Sequence, residues 1–331
     1  MTDVPFPSLP DFPEIKFREY AGRTDIPGTA ALLERMRPVD SFEWPVREQD
    51  IIEDFENYPE SDTKRDLVIA EKDGRICAFS QVWWAKDPNG PLLFVYSVNV
   101  SPELRDTDIG DVLLEWCEAR SRENSKAHDP NATKFFHVAL QDRSAYFAGL
   151  LNNHGYWVYR HGLSMLRPDL ENIPDFRLPD GLEIRKALPE HHARIMQAWN
   201  EACKDMRGQI PISDHEWAMW SKRSSFDPAL WSIAWHGDDV IGTVFGMINP
   251  EDNELNKRKR GSAELISTRK DWRGKGVAKA LMARTMHLLS DRGMTECALG
   301  VDEGNPSGAR HLYEKMGFRV TGRATFYRKE L

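Results

Sequence analysis

No run of apolar residues in this 331-residue chain is long enough to cross a bilayer, which excludes a membrane-spanning helix. The opening stretch, Met1 to Pro13, is proline-rich and acidic. It has neither a basic start nor an apolar core, so it does not read as a secretion signal. Cysteine is sparse: Cys77, Cys117, Cys203 and Cys297 are scattered, with no Cys-x-x-Cys pair. That argues against a zinc knuckle or a disulfide framework, and it fits a reducing, cytoplasmic setting. Basic residues are outnumbered, 44 against 52 acidic, for a net charge of −8. With no long basic patch to offset this, nucleic acid is not an expected partner, and neither is a membrane. There is no low-complexity segment, and the length suits about two domains.

What the chain does contain is a pattern written twice. Pro10-Asp11-Phe12 precedes an alternating strand at Ile15–Tyr20, and Pro174-Asp175-Phe176 precedes another at Leu182–Lys186. Helices follow at Ala30–Met36 and Pro189–Cys203. Hairpins come next, Leu67–Glu71 with Ile76–Trp84 across Asp73-Gly74, and Trp231–Trp235 with Val240–Ile248 across Gly237-Asp238-Asp239. Each half continues with a strand (Phe94–Val100; Ala263–Thr268), a helix (Gly110–Arg122; Gly276–Arg292) and a fifth strand (Phe135–Leu140; Glu296–Val301). A short helix then stops at His154-Gly155-Tyr156 or Met316-Gly317-Phe318. The closing strands are Trp157–Arg160 and Ser164–Arg167 in one half, Arg319–Arg323 and Thr325–Lys329 in the other. An offset of roughly 165 residues points to a duplicated domain. The expected division is 1–168, a Pro/Asp/Gly-rich linker at 169–180, and 181–331. The expected fold is α/β, each half a mixed, mostly antiparallel sheet with helices on both faces.

The stretch Ala263–Arg292 carries the chemistry. A short strand ends in Arg273-Gly274-Lys275-Gly276-Val277-Ala278 and opens an amphipathic helix. The first amides of a helix lack intrahelical partners and lie at the positive end of its dipole, so they attract phosphate. Gly274 and Gly276 place no side chain in front of those amides. Arg273 and Lys275 add charge, and Ala278 is small enough for close approach. The plain alternative is an ordinary turn with a basic flank.

Arg273, Gly274, Gly276 and Ala278 match the Arg/Gln-x-x-Gly-x-Gly/Ala signature of the GCN5-related N-acetyltransferase (GNAT) superfamily, which uses acyl-coenzyme A. Gly304-Asn305-Pro306 and Leu312-Tyr313-Glu314-Lys315-Met316-Gly317-Phe318 are similar to that family's later segments. The second half resembles the family end to end, the first half in architecture only. Tandem members with one degenerate half exist, mycothiol synthases among them.

The resemblance implies that backbone groups of Ile266 and Thr268 pair with the pantetheine arm, and that the amides of Arg273, Gly274, Lys275, Gly276, Val277 and Ala278 hold the pyrophosphate. It makes Tyr313 the acid for the departing thiolate, a role a phenol can fill; a packing tyrosine is the alternative. Asn305 before Pro306 reads as a helix cap, and the family adds a coenzyme A contact. Glu264, in register with Ile266 and Thr268, is the candidate general base, with Asp302 and Glu303 as rivals. The acceptor pocket is expected at Trp199–Arg223, where Glu201, Asp205, Met206, Trp217 and Trp220 could receive an amine or simply form aromatic core. His191 and His192 begin a helix and lack a third ligand, so no metal is expected.

In the first half, aligning Arg105 with Arg273 puts Asp106 and Asp108 opposite Gly274 and Gly276. Leu151 then stands opposite Tyr313, and Arg143 opposite Asn305. Carboxylates where a pyrophosphate should dock make this half a scaffold. The whole reads as an acetyl-CoA-dependent N-acetyltransferase acting on a small primary amine, with one working site, as a monomer or homodimer. The alternatives are a non-catalytic acyl-CoA sensor and a mycothiol synthase-like enzyme, although no residue points specifically to a sugar–cysteine acceptor.

Overall fold

The computed structural model describes the chain apart from residues 1–11, 13, 41–45, 57–61, 87–89, 142–143, 205, 207–210, 224 and 306–307. The elements of the N-terminal part are β1 (Lys16–Glu19), α1 (Ile26–Asp40), α2 (Glu48–Glu56), α3 (Thr63–Asp66), β2 (Leu67–Lys72), β3 (Arg75–Lys86), β4 (Leu92–Val100), α4 (Ile109–Ser125), β5 (Lys134–Gln141), α5 (Ala145–Asn153) and β6 (Trp157–Arg167). There follow β7 (Glu183–Arg185), α6 (His192–Cys203), α7 (Asp214–Trp220), β8 (Trp231–His236), β9 (Asp239–Ile248), α8 (Pro250–Leu255), β10 (Arg260–Thr268), α9 (Val277–Asp291), β11 (Glu296–Asp302), α10 (Ala309–Lys315) and β12 (Arg319–Glu330).

The chain forms two compact units. One is Met1–Arg160 together with Ala324–Leu331, and the other is His161–Arg323. In the first, the strands run β1-β2-β3-β4-β5 and end on the latter part of β12, whose Ala324–Glu330 pair antiparallel with β5. In the second, residues 162–167 of β6 pair antiparallel with β11, and the sheet continues β10-β9-β8-β7. Only β4–β5 and β10–β11 are parallel among the described pairings; each is the crossover that brings a helix back over the sheet. Each unit is therefore a mixed, mostly antiparallel sheet with helices on both faces.

Side-chain alternation explains the layering. Phe94, Tyr96 and Val98 of β4 pack under α4 and α5, while Ile69 and Phe79 of the neighbouring strands pack with Ile26, Leu32 and Phe55 of α1 and α2. In the second unit, Ala263, Leu281, Met286 and Leu299 form the layer under α9, and Ile195, Trp231 and Phe245 form the layer under α6 and α7.

The closing strands differ from expectation. Each expected pair is one unbroken strand, β6 and β12, and each strand is divided between the units. The physical reason is local. Neither Gly162 nor Gly322 adopts the positive φ a tight turn would need, so the chain stays extended through both. The stretch expected as a linker, 169–180, lies within the second compact unit. The Pro10-Asp11 start of the first repeat lies outside the described residues. Among the described residues, no helix is long and apolar enough to cross a membrane.

Candidate active site

Strand β10 ends at Thr268 and passes through one 3-10 turn, Lys270–Trp272, into α9. The Arg269 amide donates to Ile241 O at 2.8 Å, which ties the strand end to its neighbour. The Arg273 side chain turns back, its Nε donating to Thr268 O at 3.0 Å. Gly274 and Gly276 both have left-handed backbones, with φ of 76° and 92°. The turn thus needs glycine for its conformation as well as for open approach, and a Cβ at either residue would meet only empty space within 4 Å.

The mouth of α9 opens on a cleft of about 850 Å³. The structure brings Ile266, Thr268, Arg273, Gly274, Lys275, Gly276, Val277, Ala278, Asn305 and Tyr313 together along it. Trp272, Lys279, Ala309 and Leu312 complete the wall; none of these was singled out by the sequence. Lys275 Nζ lies 5.0 Å from the Trp272 ring centroid. A smaller cavity of about 100 Å³ shares Met206, Ile266, Asn305 and Tyr313 with the cleft and adds Glu264, Leu265, Trp199 and Asp302.

Glu264 faces this cavity from the point where β10 becomes irregular. Its register partner on β9 is Phe245, but regular pairing resumes only at Ser267↔Thr243, so the strand bulges between. Leu265, in the bulge, has φ 45°. Pairing of β10 with β11 ends at Ser262↔Ala298, so the strands part beside the bulge. Burial lifts the Glu264 carboxyl to about 7, against the pull of a Ser262 hydrogen bond. Such a group can accept a proton near neutral pH. Tyr313, 5% exposed, has its phenol pushed far above its ordinary range by burial, and the Glu264 charge adds to this. It therefore holds its proton until a strong base appears beside it.

The rival carboxylates differ from Glu264. Asp302 lines the small cavity but accepts the Gly304 amide at 2.9 Å. Glu303 is held by Arg323 at 2.7 Å. Asn305 does not cap the following helix as expected: Gly308 is the N-cap of α10, at φ 71°. The helix starts later than the Asn-Pro pair suggests, and Asn305 sits in the turn after β11, its amide donating to Asp302 O at 3.1 Å. Pro306 lies outside the described residues.

Of the expected acceptor pocket, Trp199 and Met206 line the small cavity. Trp217 and Trp220 instead join Phe226, Trp231 and Phe245 in a layer of stacked and edge-on rings, with Trp231 and Phe245 centroids 4.1 Å apart. They are core. Glu201 pairs with Arg269 at 3.1 Å, and Asp205 lies outside the described residues. His192 sits among the rings of Trp217, Phe226 and Trp231, while His191 Nδ1 lies 3.1 Å from Lys186 O. Among the described residues, no three His, Cys, Asp or Glu side chains converge on a point that could hold a metal.

The first unit provides an internal comparison. Arg105 Nε donates to Val100 O at 3.2 Å, the same bond five residues back that Arg273 makes, which supports pairing these two arginines. Asp108 then occupies the place of Gly276, with an ordinary φ of −76°. The Arg105 guanidinium is held bidentately by Asp40, at 2.9 and 2.6 Å, under the Tyr146 ring. Tyr146 closes the start of α4 so tightly that a Cβ on Gly110 would come within 2.1 Å of its hydroxyl. Strand β4 pairs with β3 without a bulge. Tyr96 stands at the Glu264 position, buried and bonded to Tyr156, whose hydroxyl donates to Glu118 at 2.9 Å. Leu151, opposite Tyr313, is wholly buried core, and Arg143 lies outside the described residues.

A glycine turn feeding a helix, a bulged strand parted from its parallel neighbour and a tyrosine closing the cleft together define a nucleotide-bearing acyl-donor site on a duplicated α/β fold. The model of the acetyltransferase (GNAT) family matches residues 29–144 and 193–318, and the chain belongs to that family. A mycothiol acetyltransferase of Geodermatophilus obscurus is 28% identical over 181 residues, 52% of this chain and 56% of that protein. A mycothiol acetyltransferase of Streptomyces coelicolor is 26% identical over 165 residues, 48% of this chain and 50% of that protein. The matches thus span about half the length of these curated relatives. Among solved structures, a GCN5-related N-acetyltransferase from Sphaerobacter thermophilus superposes with a TM-score of 0.74 at 24% identity, covering 98% of this chain and 97% of that one. A tandem GNAT protein from the clavulanic acid biosynthesis pathway gives 0.66 at 13% identity, covering 96% and 98%. These two likenesses concern the fold.

Proposed function

We propose that this chain transfers the acetyl group of acetyl-CoA to a primary amine of a small acceptor, and that it does so in the second unit alone. The observation that carries the reading is the convergence of the α9 glycine turn, Glu264 and Tyr313 on two connected cavities. The amides from Arg273 to Ala278 receive the pyrophosphate, and backbone groups of Ile266 and Thr268 pair with the pantetheine arm in place of the missing strand partner. Asn305 borders the same arm. The amine nitrogen attacks the thioester carbonyl carbon as its proton passes to the Glu264 carboxylate. The C–S bond then breaks, and the Tyr313 hydroxyl gives its proton to the departing thiolate. No metal enters the step.

Titration calorimetry with acetyl-CoA tests the reading directly. One equivalent should bind per chain; two would overturn the assignment of the first unit as scaffold, and none would overturn the donor. An acetyl-transfer screen against amines, a sugar–cysteine amine among them because two relatives are mycothiol acetyltransferases, identifies the acceptor. Binding without transfer to any amine would favour a sensor. Tyr313→Phe should lower kcat about 100-fold with little change in acetyl-CoA affinity, the low end of what a positioned acid contributes. A variant as fast as wild type would remove Tyr313 from the mechanism.

A further inference from the structure

The bulge in β10 is held by a pair of hydroxyls. Thr243 Oγ donates to Leu265 O at 2.6 Å and lies 2.8 Å from Ser267 Oγ. A hydroxyl has one proton to give. Since Thr243 spends its own on Leu265, the Ser267 hydroxyl must donate to Thr243. The result is a short chain, Ser267 to Thr243 to the Leu265 carbonyl, in which each bond polarises the next. Both hydroxyl residues are buried.

The geometry gives this chain a consequence beyond packing. Leu265 sits at φ 45°, a left-handed backbone that costs a residue with a Cβ about 1–2 kcal/mol. The bond from Thr243 fixes its carbonyl toward β9. There are no cis peptide bonds among the described residues, so the Ile266 N–H of the same peptide plane points the opposite way. That direction leads away from β9, to the side where β10 has parted from β11 and where Ile266 borders both cavities.

The first unit serves as a control. By strand ends, its equivalent of the Thr243↔Ser267 pair is Phe79↔Asn99. It has no hydroxyl pair, and its ladder runs through without a bulge. The two features are present together in one unit and absent together in the other.

We propose that Thr243 and Ser267 are positioning residues, which hold the Leu265 bulge so that the Ile266 N–H meets the thioester carbonyl oxygen as it gains charge. This rests on the acetyl-transfer reading above. Thr243→Val keeps the shape of the side chain and removes the donor. The test uses acetyl-CoA labelled with carbon-13 at the carbonyl, bound to the full chain and read by NMR, so no acceptor is needed. In the wild type the carbonyl resonance should move downfield on binding, the sign of a hydrogen bond to its oxygen. In Thr243→Val it should return toward the free position while the affinity for unacetylated CoA is kept, and Thr243→Ser should restore it. With an acceptor amine in hand, kcat for Thr243→Val should fall about 100-fold at unchanged KM for acetyl-CoA, the scale of one lost oxyanion donor. Ser267→Ala, which leaves the Leu265 bond in place, should give a smaller change in the same direction and serves if Thr243→Val does not fold. A wild-type downfield shift that both variants retain would overturn the proposal. Failure of the wild type to bind acetyl-CoA would instead overturn the acetyl-transfer reading beneath it.

Discussion

Gly276→Asp should bind acetyl-CoA about 250-fold more weakly than the wild type, because one extra unit charge about 5 Å from a phosphate at an effective dielectric near 20 opposes binding by about 3 kcal/mol. A pyrophosphate carries more than one charge, so calorimetry should register no binding at ordinary concentrations. The left-handed backbone at Gly276 adds a second effect, since any Cβ there is disfavoured. Gly276→Asn separates the two. Asparagine tolerates a positive φ better than most residues and brings no charge, so it should lose far less affinity than aspartate. Equal losses in the two variants would show that conformation, and not charge, excludes the ligand. The same logic would then weaken the inference drawn from Asp106 and Asp108 in the first unit.

Glu264→Gln should lower kcat/KM on the order of 1,000-fold and abolish the rising limb of the pH profile. In the wild type, activity should climb with pH through about 7, where the buried carboxyl loses its proton, and then level off. A profile with no inflection near there would remove Glu264 as the base. Stability should move the other way. The folded-state value is raised above the ordinary 4.5, so from about 4.5 to 7 the unfolded chain has given up a proton that the native carboxyl still holds. Stability is therefore lost as pH rises through that window. Above it the ionised, buried carboxylate costs the second unit up to about 3 kcal/mol. Glu264→Gln carries no such penalty. It should unfold at a higher urea concentration than the wild type at pH 8, and nearly the same one at pH 4.

Much of this was legible in the residues because the physics involved is local. A turn that must take left-handed backbone and admit phosphate requires glycine, so Gly274 and Gly276 advertise themselves. Their replacement by Asp106 and Asp108 is just as visible. Strand and helix order followed from alternation and from the glycine stops. Other features depend on what meets across space. Glu-Leu-Ile-Ser-Thr reads as an uninterrupted strand, and nothing in it announces that Leu265 turns left-handed; the reason lies on β9, in Thr243. Trp217 and Trp220 offered an amine-binding surface on paper, but five neighbouring rings pack better against one another than against water. Asn305-Pro306 has the form of a helix start, yet α10 begins only at Ala309.

The division of β6 and β12 also bears on how the molecule is made. Synthesis runs from the first residue onward, and units made early ordinarily fold early. Here the sheet of the unit that begins the chain is finished by 324–330, which leave the ribosome after the entire second unit. The second unit's strand from β6 is, by contrast, made ahead of the rest of it. The order of completion is thus the reverse of the order of birth. In the interval the edge of β5 stands unpaired, a template for stray strand addition that a nascent chain must keep covered until its own last strand arrives.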